Sequence, residues 1–179
     1  TLDVFLPAAT GRPAPVHVFI HGGYWQLLDK NDFSYVARAF VPAGAAVAVI
    51  NYALMPAVTM DELVRQCRAA VAWVHANAAS FGGDPRRIYI SGHSAGGHLV
   101  AMLMATDWPA FGAPAGVVKG GCAISGLYDL EPIRLCYLND VLELTPEDAA
   151  LNSPVLGAAP RAGALIIAVG GLEGPEYHR

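Results

Sequence analysis

The segment Gly92-His93-Ser94-Ala95-Gly96 constrains this chain more than any other, because it joins two stretches of opposite character. Before it stands the apolar run Ile88-Tyr89-Ile90, which reads as a buried strand. After it, Ala95 to Leu103 reads as the small-residue start of a packed helix. A serine between two glycines at a strand-to-helix turn has the pattern of a nucleophile elbow. The turn is sharp enough to tolerate only tiny neighbours, and it lifts the serine hydroxyl clear of the sheet. The junction therefore predicts a βα unit with a reactive serine at the end of its strand.

The rest of the chain repeats that alternation. Val4-Phe5-Leu6 is a short strand stopped by Pro7, Thr10-Gly11-Arg12-Pro13 makes a turn, and Val16 to Ile20 is a strong strand. Asp32 to Phe40 looks helical. Ala45 to Ile50 is a continuous apolar run, the signature of a parallel strand covered on both faces. Thr59 to Asn77 is the clearest helix, with Thr59 as cap and Glu62 three residues later to complete a capping box. Leu63, Cys67, Ala70, Val71 and Val74 recur there at helical spacing. The turn Phe81-Gly82-Gly83-Asp84-Pro85 leads into the elbow strand, and Val117 to Ile124 forms the next strand. Residues 130–154 read as irregular with short helices, one opening at Thr145-Pro146, and Ala164 to Val169 is the last strand. Strands alternating with helices predict an α/β protein with a doubly wound, mostly parallel sheet, in one domain over residues 1–179. Ligands bind such sheets beyond the carboxyl ends of the strands. His21-Gly22-Gly23, Asn51-Tyr52, Ser94 and Gly170-Gly171 all fall there.

Composition narrows the partners. Apolar residues make up 54% and charged residues 15%, with a formal net charge of −4 and no block of Lys or Arg. That balance disfavours nucleic acid and membrane surfaces as partners. No apolar run reaches the roughly 18 residues of a bilayer span, and Thr1-Leu2-Asp3 opens no signal-peptide pattern. Cys67, Cys122 and Cys136 are odd in number and widely spaced, which fits neither a disulfide framework nor a zinc site and suggests a cytoplasmic location. Cys67 and Cys122 read as core fillers. His17 and His21 have no Cys or carboxylate at ligand spacing, so no metal and no cofactor is expected.

A serine attacks a carbonyl only when a base takes its proton and donors hold the oxyanion. His21-Gly22-Gly23-Tyr24-Trp25 follows the second strand, where a glycine-rich oxyanion loop belongs. The N–H groups of Gly22, Gly23 and Ala95 are the candidate donors. His21, at the strand end, is expected to hold that loop by hydrogen bonds rather than act as base. His93 is expected to face the pocket, and His98 to pack or make a buried hydrogen bond.

HGGYW at 21–25, NYALMP at 51–56, GHSAGGHL at 92–99, SGLYDLEPI at 125–133 and GPEYHR at 174–179 together resemble the arylformamidase (kynurenine formamidase) group of α/β-hydrolases. The resemblance implies the α/β-hydrolase fold and hydrolysis of an N-formyl arylamide such as N-formylkynurenine, or of a small carboxylic ester. It makes Ser94 the nucleophile and Gly22, Gly23 and Ala95 the oxyanion donors. It also implies Glu173 as the carboxylate of the triad, where the family usually has Asp, with Glu176 as the other candidate. The fold's order is serine, acid, histidine, and the only later histidine is His178. In the family's pattern the base lies one strand further on, so that histidine, with the final strand and helix of the fold, is expected beyond Arg179. Asp129 is expected to shape a loop. Tyr24, Trp25 and His93 are the pocket candidates, with Tyr52, Tyr128 and Tyr137 as further aromatics near the strand ends. An open last strand also predicts poor solubility of residues 1–179 alone, or pairing of two copies as a homodimer. The alternative function is a catalytically inactive α/β-hydrolase-fold binding domain without a complete triad.

Overall fold

The apolar runs become the strands of a single sheet because each can bury both of its faces only between layers of helix. The structure, a computed structural model, describes residues 1–9, 11–157, 159 and 163–178. Thr10 of the expected turn and Arg179 lie outside the described residues. Six strands are seen among them: β1 (Leu2–Phe5), β2 (Ala14–Ile20), β3 (Ala46–Ile50), β4 (Gly83–His93), β5 (Val118–Ile124) and β6 (Ala164–Ala168). Their order is β1-β3-β2-β4-β5-β6, with β1 antiparallel to β3 and every other pairing parallel. From β2 the chain winds outward to β3 and then returns to the other side of β2 as β4. That reversal is the topological switch point, where such sheets open a crevice. The α/β-hydrolase fold expected from the sequence is the one observed.

Two unequal cores hold the layers together. Val16, Val18 and Ile20 of β2 point to the face covered by α2 (Met60–Asn77) and α3 (Ala95–Met104), where they meet Leu63, Cys67, Val71 and Val74 of α2 and Leu99, Val100 and Leu103 of α3. On the other face Phe19, Val47 and Val49 pack on Ala37 of α1 (Ala37–Phe40), with Phe33 and Val36 of the preceding 3-10 turn beside them. All five residues of β3 are buried, as its continuous apolar run predicts.

Several details differ from the sequence reading. The first strand starts and ends earlier than Val4–Leu6 and is an antiparallel edge, leaving Leu6 exposed. The helix expected at Asp32 begins at Lys30 as a 3-10 turn, because Asp29 and Asp32 close a capping box around it. Thr59 does cap α2 by accepting the Glu62 N–H, but the Glu62 carboxylate turns to Arg65 and Gln66 instead of reaching back. Only half of the expected box forms there. The full box is found at the short helix Pro146–Leu151, where Thr145 and Asp148 satisfy each other. The last strand is not buried: Ile166 and Ile167 are 61% and 60% exposed, since β6 pairs with β5 alone and no helix covers it among the described residues. Cys122 is likewise half-buried rather than core. It lies on an apolar trough of about 560 Å³ over that uncovered face, with Tyr89, Ile124 and Ile166.

Candidate active site

Ser94 sits where β4 turns into α3, in a backbone conformation few L-residues adopt. Its φ is 57° and its ψ −121°. Such strain, of order 1–3 kcal/mol, persists only where the surroundings enforce it. They do so through close packing. A Cβ at Gly92 would lie 2.4 Å from the Gly96 carbonyl oxygen, and a Cβ at Gly96 would lie 2.1 Å from that of Ile20. Only glycine fits on either side of the serine. The Ser94 N–H donates to the Ile124 carbonyl at 2.8 Å, which fastens the turn to the end of β5. Ala95, fully buried, begins the first turn of α3, whose N–H groups make a partly positive end beside the serine.

The glycine loop after β2 is pressed against this turn. A Cβ on Gly22 would meet the His93 carbonyl oxygen at 2.7 Å and the Ser94 Cβ at 3.2 Å. Gly23 has φ +110°, and its carbonyl accepts the N–H groups of Gln26 and Leu27 at 3.0 and 2.9 Å. Tyr24, Trp25 and Leu28 follow with positive φ, so the whole loop is held in an unusual path. Two pins hold it. His21, fully buried, lies with Nδ1 2.7 Å from the Gly22 carbonyl and Nε2 3.2 Å from Asn51 Oδ1. Its ring stacks on Tyr52 at 4.2 Å, and the Tyr52 hydroxyl donates to the His21 carbonyl. Trp25 is the second pin. Its indole N–H donates to His98 Nδ1 at 3.1 Å, and His98 Nε2–H donates to the Asn152 carbonyl at 2.7 Å.

That geometry corrects one expectation and supports two. Trp25 is 0% exposed and cannot line an open pocket; a large amphipathic ring with one N–H is satisfied better inside, on a histidine acceptor. His21 holds the glycine loop by hydrogen bonds, as expected, and His98 makes the buried hydrogen bonds foreseen for it. Burial lowers the His98 pKa to about 4, against a smaller opposing pull from the Asn152 carbonyl, so the ring is neutral. Tyr52 is buried and so is no pocket wall, and Tyr137 is exposed. His93 is exposed, and Tyr24 is half-buried with its hydroxyl 3.3 Å from that of Tyr177. Tyr177 is pushed up to about 12, chiefly by that hydrogen bond.

Glu173 lies in the loop after β6, on the same side of the sheet. One oxygen, Oε1, accepts the Ser125 hydroxyl at 2.5 Å and the Gly170 N–H at 2.9 Å. These two bonds, the first the stronger, hold its carboxyl below the usual range, and the nearby His93 and His178 imidazoles add to the effect. Glu176 is exposed. Asp129 caps the Glu131 N–H, the loop-shaping role expected of it. Among the described residues no imidazole hydrogen-bonds to the Ser94 hydroxyl, and no cluster of metal-ligand residues is found. Sequence reasoning did not single out Ser125, although Ser125-Gly126 after an apolar strand repeats the logic of the elbow, nor Tyr177. It also passed over the pairing of His17 Nε2 with Ser91 Oγ at 2.7 Å, which lies on the uncovered face away from the crevice.

Comparison with known proteins places this geometry among relatives. The BD-FAE family model matches residues 2–110. Kynurenine formamidase of Danio rerio is 36% identical over 183 aligned residues, covering 99% of this chain and 61% of that protein. A crystal structure from Silicibacter sp. TM1040, provisionally titled a thioesterase, superposes with a TM-score of 0.84 at 34% identity, covering 99% of this chain and 64% of that one. An esterase of Pyrobaculum calidifontis shares the fold at a TM-score of 0.76 and 20% identity, over 93% of this chain and 65% of its own. The chain thus spans about three fifths of the length of the curated relatives it matches.

Proposed function

From the premise that the chain belongs to the BD-FAE family, with kynurenine formamidases among its homologues, we propose that it is part of a serine hydrolase with Ser94 as nucleophile. The substrate is an N-formyl arylamide of the N-formylkynurenine type or a small carboxylic ester. The observation that carries the reading is the left-handed Ser94, wedged between two glycines that admit no Cβ and backed by the Gly22 loop. An ordinary β–α turn has no need of that strain.

In this mechanism a histidine base outside residues 1–179, oriented by Glu173, takes the Ser94 proton as Oγ attacks the formyl or acyl carbon. The carbonyl oxygen becomes an oxyanion, and the N–H groups of Gly22, Gly23 and Ala95 donate to it. Because the loop and the elbow are already packed together, those donors need little reorganisation as charge develops. Collapse expels the arylamine or alcohol, which receives the proton from the imidazolium, and leaves an acyl-serine. Water, deprotonated by the same base, then attacks the acyl-serine, releasing formate or the carboxylic acid and restoring Ser94. Side chains and backbone amides suffice for every step.

The test is hydrolysis of formanilide and p-nitrophenyl acetate by the protein expressed from its complete gene, with and without Ser94→Ala. We expect the variant to lose at least about three orders of magnitude in kcat, the scale seen when a triad member is removed. Undiminished turnover by the variant overturns the assignment. An inactive parent that still binds formanilide favours the binding-domain reading instead.

A further inference from the structure

The end of β5 touches both groups that the proposed mechanism requires. The Ile124 carbonyl accepts the Ser94 N–H at 2.8 Å, and the very next residue, Ser125, donates its hydroxyl to Glu173 Oε1 at 2.5 Å. We infer that Ser125 is a positioning residue for the Glu173 carboxylate, an inference that rests on the serine-hydrolase reading of Ser94.

Three observations support the role. Ser125 is 5% exposed and has φ +49°, an unfavourable conformation for serine. Its own N–H donates to the Ala168 carbonyl at 2.7 Å, so its backbone is fixed to the last residue of β6, from which the Glu173 loop departs. The space around it is also closed: a Cβ on Gly97 of α3 would come within 2.9 Å of the Ile124 carbonyl oxygen and 3.0 Å of the Gly126 Cα. Serine therefore occupies a place where glycine would be more comfortable, and what its side chain adds there is a single hydroxyl on the carboxylate. With Gly170 N–H on the same oxygen, Oε1 is held twice, and Oε2 remains to meet a histidine. A Glu has one more rotatable bond than Asp, so a fixed Oε1 answers the looseness that this chain's Glu introduces.

The hydroxyl also favours the ionised carboxylate, which orients an imidazole by accepting its N–H. Ser125 thus sets both the direction and the charge of the acid without touching substrate.

The experiment measures kcat and KM for p-nitrophenyl acetate in the protein from its complete gene. The variants are Ser125→Gly, Ser125→Ala, Glu173→Gln, Ser125→Gly with Glu173→Gln, and Ser94→Ala. Glycine suits the positive φ, so Ser125→Gly keeps or raises the melting temperature and isolates the lost hydroxyl. We expect kcat to fall on the order of 10- to 100-fold, the scale of a misplaced catalytic group, with KM changed less than about threefold. The double variant is expected to be no slower than Glu173→Gln alone, because Ser125 acts through Glu173. A merely structural serine would give losses that multiply. Unchanged kcat in Ser125→Gly, multiplying losses, or a fully active Glu173→Gln overturns the positioning role while an inactive Ser94→Ala leaves the nucleophile assignment standing. A fully active Ser94→Ala overturns both.

Discussion

At the scale of single residues the candidate site is governed by contacts shorter than a methyl group allows. Gly96 shows it best, since the added Cβ would sit 2.1 Å from Ile20 O and 2.8 Å from His21 O, both backbone atoms that cannot swing aside. Gly96→Ala is therefore expected to push the end of β2 away from α3 and destabilise the fold by about 1–3 kcal/mol, as overpacking does. Urea unfolding checks it; a midpoint equal to that of the parent contradicts the close packing. The motif made this crowding legible in advance, because a serine between glycines after a strand has a steric meaning that needs no neighbours. Trp25 was not legible in the same way. Its place in the glycine loop suggested a pocket wall, but its partner is His98, 73 residues later, and no local pattern reports a buried indole N–H meeting an imidazole across the core. Ser125 escaped for the same reason, since its partner Glu173 is 48 positions away.

Whole elements were more legible than their ends. The 3.6-residue recurrence of Leu63, Cys67, Ala70, Val71 and Val74 located α2; Ala70 is half-buried and the other four are buried. What the spacing could not say was which of two uses Glu62 would serve. A capping box and a bidentate pair with Arg65 compete for one carboxylate, and the pair, at 2.6 and 2.8 Å, is what forms. Thr59 must then cap the helix alone. Thr59→Ala is expected to lower stability by about 1 kcal/mol, the usual worth of a lost N-cap. Glu62→Ala removes an exposed pair and a Gln66 contact, for which less than half that loss is expected. Thermal melts of both variants decide the order; a larger loss for Glu62→Ala would show that the carboxylate, not the threonine, holds the helix start. The strand β6 makes the complementary point. Its apolar run announced a strand correctly, but burial depends on what lies over it, and hydrophobicity alone does not name the covering layer.

At the scale of the whole molecule buried histidines lie on both faces of the sheet, and this couples the fold to pH, with the pKa of His21 at the end of β2 also lowered by burial. His17 lies on the α1 side, its ring 4.1 Å from Phe40 and hydrogen-bonded to Ser91, while His98 lies in α3 on the other side, between Trp25 and Asn152. Burial lowers the pKa of each to about 4. The unfolded chain titrates its histidines near the ordinary 6.5, so between that pH and about 4 the unfolded state binds more protons than the folded one. Stability from this source is complete above pH 6.5 and is lost as the pH falls toward 4, below which the effect levels off. The slope reaches at most about 1.4 kcal/mol per pH unit for each histidine. The His98 ring is held at both of its nitrogens. His98 Nδ1 accepts the Trp25 N–H, and protonating it would set two donors face to face. Urea midpoints measured at intervals from pH 7.5 to 4.5 are expected to fall steadily below about 6.5. His17→Asn and His98→Gln, each costing stability at neutral pH, are expected to flatten the curve by comparable amounts. A parent curve with no slope in that window would show that the two rings are not buried in their neutral form.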